Sequence, residues 1–267
     1  MFFGFPDGVV SIAQFRECLE KARGIGKAIY RGEHCFYTKH VFPSCFREGS
    51  EWPLKREGSN LTKAEYWEIR KFQLRRPWHI VHSGLNRPTW IGLTQHYGGK
   101  TRLVDVTHDE LVGLFFACWD FTNPPANTNQ NGWVYVFAEK TFRPMSVPRT
   151  EVEKRSIEQG MSDDFRDFFD ASYASPLYEN IGHLYTPKGD RRVNARMSAQ
   201  RGAFFWWHPA FNKFPAQIIP IPINREAKPL ILKELDRNGL SVEVLFPDAF
   251  GRKQKDREDS NAPQPLT

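Results

Sequence analysis

Three side chains that are costly to bury, His96, Arg102 and Asp105, lie within ten residues of one another in the stretch QHYGGKTRLVDVTHDE. Each has a chemical use. The imidazole of His96 titrates near neutral pH, so it would act as an acid or base or hydrogen-bond a sugar hydroxyl. Arg102 offers a planar fork of donors that keeps its charge, and Asp105 offers a carboxylate. The plainer reading is structural: Arg102 and Asp105 pair beneath a turn, and His96 is a satisfied core residue. With Asp109, Glu110 and His108, the pair His96 and Asp105 also makes up the only dense set of oxygen and nitrogen ligands that a metal-dependent nuclease would need. Asp109-Glu110 more simply begins a helix, where carboxylates oppose the helix dipole.

The elements that must position these residues follow from the surrounding pattern. Gly98 and Gly99 permit a turn, so Gln95-His96-Tyr97 closes one element and Thr101–Val104 opens an extended one. Thr107 or Asp109 then caps a helix through Leu111, Leu114, Phe115 and Cys118, whose spacing defines one buried face. Upstream, Ser11 caps a helix bearing Ile12, Phe15, Cys18, Leu19 and Ala22, and Gly24-Ile25-Gly26 ends it. Ala28-Ile29-Tyr30 is a short strand that delivers Arg31-Gly32-Glu33 at its end, where ligands are often met.

Residues 61–82 read as helical with a break or kink at Pro77, a polar connector runs from Ser83 to Pro88, and a further segment covers Trp90–Tyr97. Thr122–Asn131 is a solvent loop, Trp133–Ala138 a strand, and Glu151 to Tyr178 a charged helical section. Four consecutive aromatic residues from Phe204 place a buried strand at Ala203–Trp207. The prolines of Ile218–Ile223 make that strand an edge. Ala227 to Arg237 is a helix stopped by Gly239, and Val242–Phe246 is a last short strand or turn.

Strands scattered among helices of unequal length predict an α+β fold, a small mixed sheet of short strands with helices packed around it, and not a doubly wound parallel sheet. A single domain over about 1–250, with a helical section at about 51–90, precedes a charged, proline-bearing tail, 251–267, expected to be disordered.

Forty per cent hydrophobic residues in a chain of 267 suffice for a sizeable core. The formal charge of +6 gives a mild bias toward phosphate-bearing partners, yet no long basic run suits a duplex. Arg70, Arg75, Arg76 and Trp78 would suit a nucleic acid, or more simply form a solvated helix face. Four cysteines without CxxC spacing, and no signal peptide or long apolar span, predict reduced thiols in a cytoplasmic protein with no membrane segment. No second ligand pair accompanies His34-Cys35 or His79 with His82, so no metal site is expected. A Gly-rich phosphate loop, a GxSxG elbow and HExxH are all absent.

Four stretches fit together: Ile29-Tyr30-Arg31-Gly32; Gln95-His96-Tyr97-Gly98 with Thr101-Arg102-Leu103-Val104-Asp105 and Thr107; Arg196 with Gln200 and Gly202-Ala203-Phe204; and Gly239 with Leu245-Phe246-Pro247-Asp248. In order and rough spacing they resemble the FRG domain family, named for a Phe-Arg-Gly triplet, with Tyr30 here in place of the Phe and Val106 where a Trp is often found. The resemblance implies a bacterial or phage protein in a defence or toxin setting.

An aromatic-Arg-Gly strand end is also similar to the first motif of ADP-ribosyltransferases. That likeness implies NAD as substrate, with Arg31 on its pyrophosphate or ribose and Tyr30, Gly32 and Arg102 lining the site. Tyr97 would stack on the nicotinamide or base, and His96 would meet the ribose. Gln200 stands where such enzymes usually place a glutamate, so either another acid, such as Glu33 or Asp105, would supply the carboxylate or the reaction differs. The implied activity is ADP-ribosyl transfer or NAD glycohydrolysis. The alternatives are a non-catalytic module that binds a nucleotide or nucleic acid, and the metal-dependent nuclease.

Overall fold

The computed structural model describes residues 7–22, 24, 26–37, 41, 43, 67–75, 87–101, 103–120, 124, 128–139, 143–144, 183–185, 195–206 and 218–247. The expected helical section at 151–178, the tail from 251 and most of the section at 51–90 lie outside these residues.

Helix α1 spans Ile12–Lys21, and the Ser11 hydroxyl caps it by accepting from the Gln14 amide at 3.3 Å. Strand β1, Ala28–Glu33, runs three residues further than its apolar part. A helical stretch at 67–74 is followed by α2, Arg87–His96. Pro88 was expected in a connector but sits in the first turn of α2, where a missing N–H costs nothing. Strand β2 is Leu103–Thr107, and α3, Glu110–Cys118, is capped by Asp109, whose carboxylate accepts from the Leu111 and Val112 amides. Then come β3, Gly132–Ala138; the short β4, Arg143–Pro144, and β5, His183–Tyr185; α4, Ala195–Ala199; and β6, Gly202–Trp206. Strand β7, Ile218–Ile223, α5, Lys228–Arg237, and α6, Val242–Leu245, complete the order.

The fold is α+β. Among the described residues, seven strands form one sheet in the order β4-β5-β6-β2-β1-β3-β7, antiparallel throughout except for the β4–β5 pair. Val134 through Phe137 are all buried, so both faces of the sheet are covered at β3. One core joins Phe15 and Cys18 of α1, Leu114 and Phe115 of α3, and Ile231 and Leu235 of α5 over β3 and β7. Pro220 and Pro222 lie on the outer strand β7, and the Pro222 carbonyl accepts from the Val9 amide at 2.8 Å, so the N-terminal segment covers that edge.

One element departs from the pattern reading. Val242–Phe246 alternates like a strand, yet Val242–Leu245 is a single helical turn whose Ser241 hydroxyl accepts from the Val244 amide. Val244 is half exposed while Leu245 and Phe246 are buried, so the valines mark no strand face.

Candidate functional site

The β1–β2 ladder holds one registered pair, Tyr30 opposite Thr107, whereas β1–β3 runs through every residue of β1. Beyond Tyr30 the two central strands part. A cavity of about 530 Å³ opens there, lined from β1 by Tyr30, Arg31 and Gly32, and from β2 by Asp105, Val106 and Thr107. Gln95 and Tyr97 come from the end of α2 and the turn after it, Phe116 comes from α3, and Arg196, Gln200 and Phe204 come from α4, the turn after it and β6.

Alternation along β1 sends Arg31 and Glu33 to one face and Tyr30 and Gly32 to the other. The Arg31 guanidinium crosses the gap: Nη1 donates to the Asp105 carbonyl at 2.7 Å and Nε to Glu33 Oε1 at 2.9 Å. Among the described residues these are its hydrogen-bond partners, and they leave the rest of the fork to the cavity. Glu33 is buried, accepts from the Val41 amide as well, and does not line the cavity. It is the support behind Arg31, and among the described residues Asp105 is the one carboxylate in the lining.

Asp105 is aimed by a relay. Gln95 Nε2 donates to Asp105 Oδ2 at 3.0 Å, the Thr101 hydroxyl donates to Gln95 Oε1 at 2.7 Å, and that hydroxyl accepts from the Leu103 amide. The turn that brings Gln95 over Asp105 needs Gly98, whose φ is +87°. Tyr97 follows in the same turn, lines the cavity and stacks on Phe72 with centroids 5.7 Å apart. Burial, with Glu110 and Asp109 beside it, raises the Tyr30 pKa above the ordinary phenol value, so at neutral pH the hydroxyl is a neutral donor.

Two of the lining residues also carry packing roles. Gly32 is required by packing: a Cβ there would overlap the Gly113 carbonyl and the Ala117 nitrogen of α3. The side-chain amide nitrogen of Gln200 donates to the Leu245 carbonyl at 3.0 Å, while its main-chain carbonyl accepts from the Thr107 hydroxyl at 2.8 Å. Gln200 ties α6 to β2 and also lines the cavity. His96 ends α2, but its side chain lies outside the described residues, as does Arg102.

The acidic and histidine set is dispersed where it is described. Asp109 caps α3, Glu110 pairs with Arg16, and His108 stands 3.7 Å from Glu139 with its pKa lowered by burial. Among the described residues, no group of three or more His, Cys, Asp and Glu side chains is placed to hold a metal ion.

Gln95 and Arg196 are polar lining residues that the sequence reading left without a role. Gln95 belongs to the QHYG block, and Arg196 precedes Gln200 by four residues, a spacing that puts both on one side of a helix. The family model of the FRG domain matches residues 26–124. The chain carries an FRG domain. No curated protein and no solved structure matches it. The matched FRG segment includes β1, α2, β2 and α3, hence Arg31, Gln95, Tyr97 and Asp105, whereas Arg196 and Gln200 lie beyond it. Among the described residues no helix is long and apolar enough to cross a membrane.

Proposed function

We propose that the cavity binds NAD and that the protein is an ADP-ribosyltransferase or NAD glycohydrolase. The observation that carries this reading is Asp105: the one carboxylate in the lining among the described residues, held by Gln95, in an aromatic-walled cavity that also takes in the Arg31 fork. Such a site suits a ligand with flat bases and an anionic middle. As the bond between nicotinamide and ribose breaks, its electron pair leaves with nicotinamide and positive charge develops on the ribose. A carboxylate fixed nearby stabilises that charge more than it does the ground state. Water or an acceptor nucleophile then takes the ribosyl carbon. In a bacterial or phage setting this reaction would act as a toxin or a defence step.

The direct test is incubation of the purified protein with NAD, with and without cell extract as acceptor. Release of nicotinamide supports the proposal, and none in either arm overturns it. The second reading is a nucleotide-binding site without turnover, favoured by Gln200 standing where transferases usually place a glutamate. Tight NAD binding without nicotinamide release is its signature.

A further inference from the structure

Arg196 reaches the cavity from the wall opposite Arg31. It belongs to α4, which leads into β6, and β6 is separated from β1 by β2 in the sheet. The strands at these two walls, β1 and β6, stand two strand spacings, roughly 10 Å, apart. The Arg196 guanidinium carbon lies 4.3 Å from the centroid of the Phe246 ring, within the range of a cation–π contact. A guanidinium lying over a ring presents its face to the aromatic and turns its in-plane donors outward. Phe246 is buried and meets Phe116, another lining residue, edge-on at 6.1 Å and 79°. The bond from Gln200 to the Leu245 carbonyl locks this segment beside α4.

We infer that Arg196, aimed by Phe246, is the second anchor of the cavity, and that Arg31 and Arg196 together hold two linked phosphates, so that the ligand is a nucleoside diphosphate derivative and not a monophosphate. This rests on the NAD reading in naming the ligand, and it deepens that reading by assigning the diphosphate to a pair of residues. One planar fork satisfies one phosphoryl group, and a second fork from the facing wall has its counterpart in the second phosphoryl group. Phe246 is a positioning residue: it reduces the ordering that a long, flexible side chain would otherwise undergo on binding. The second anchor comes from outside the segment matched to the FRG family, so that segment alone would lack it.

The experiment is calorimetric titration of the full chain with ADP-ribose and with AMP, for wild type, Arg196→Lys and Phe246→Leu, with melting temperatures as a check on folding. The expected result is that wild type binds ADP-ribose at least tenfold more tightly than AMP. Arg196→Lys keeps the charge without the fork and reduces that preference to threefold or less. Phe246→Leu weakens ADP-ribose binding in the same direction by a smaller factor. Equal binding of ADP-ribose and AMP by wild type, or an unchanged preference in Arg196→Lys, overturns the inference. The two readings fail separately. NAD cleavage with the same KM in wild type and Arg196→Lys removes the clamp and leaves the activity. A preference for ADP-ribose that depends on Arg196, without nicotinamide release, supports the clamp and removes the activity.

Discussion

The Arg31 guanidinium donates to the Asp105 carbonyl at 2.7 Å, across the place where β1 and β2 cease to pair. A side chain there does what ladder hydrogen bonds do elsewhere in the sheet, and it also holds the buried Glu33. Arg31→Ala is therefore expected to act twice. Withdrawing the partner of a buried carboxylate costs about 3 kcal/mol of stability, read by urea denaturation. Losing a charge-assisted contact lowers NAD turnover per folded molecule by about tenfold or more. Arg31→Lys restores part of the stability and little of the turnover, because a point charge cannot span both partners. Unchanged stability in Arg31→Ala would contradict the bridging role.

Gly32→Ala separates packing from ligand approach. The added methyl would meet the Gly113 carbonyl, the Ala117 nitrogen and the Phe116 Cβ, so α3 must move off β1. Overpacking of this kind costs about 1–3 kcal/mol, and more where rigid backbone opposes it. The expected outcome is a lower urea midpoint in the absence of any ligand. A variant as stable as wild type that binds NAD poorly would return Gly32 to the role the sequence suggested.

Local signals were legible in the sequence where one residue type decides an element. Asp109 caps α3, the prolines of β7 mark an edge, and the β-branched and aromatic run at β3 reads as a strand. The α6 turn was not legible, because Val242, Val244 and Phe246 alternate like a strand while the Ser241 cap and the burial of Leu245 make a helix. The roles of Gly32 and Gln200 depend on which helix or segment lies against them, and that is tertiary. The meeting of Arg31, Asp105 and Arg196 likewise follows from the strand order β6-β2-β1, which no spacing in the sequence encodes.

Alkaline stability gives a prediction that is independent of function. Cys118 is fully buried in α3, and burial pushes its pKa from 9.0 up to about 12. Over that window the unfolded thiol loses its proton while the folded one keeps it. The folded state then binds more protons, and stability falls as pH rises, by about 1.4 kcal/mol per pH unit from this group. Cys18 and Tyr30, both raised by burial, act in the same direction. Lys228 is lowered by burial and opposes them, because below its ordinary value of 10.5 the unfolded amine holds a proton that the folded one has given up. Urea midpoints measured from about pH 8 to about pH 10.5 should decline less steeply in Cys118→Ala than in wild type. Parallel curves would show that Cys118 makes no contribution.

The proposed chemistry depends most on Asp105, which can lose its charge while keeping its shape. In Asp105→Asn the new carbonyl oxygen can still accept from Gln95 Nε2, so the relay through Thr101 to the Leu103 amide has no reason to break. What disappears is the negative charge that faces the ribose as nicotinamide leaves. Removing one fixed electrostatic contributor of this kind lowers turnover about a hundredfold or more. Binding of ADP-ribose should hold or tighten, since an anion has been taken away from an anionic ligand. Gln95→Ala offers the complementary case: the carboxylate keeps its charge but loses its aim, and turnover should fall by a smaller factor at a similar KM. Nicotinamide release is the readout for both, with calorimetry on ADP-ribose as the measure of binding. Asp105→Asn turning over NAD at the wild-type rate would remove the carboxylate from the mechanism, because no other acid lines the cavity among the described residues.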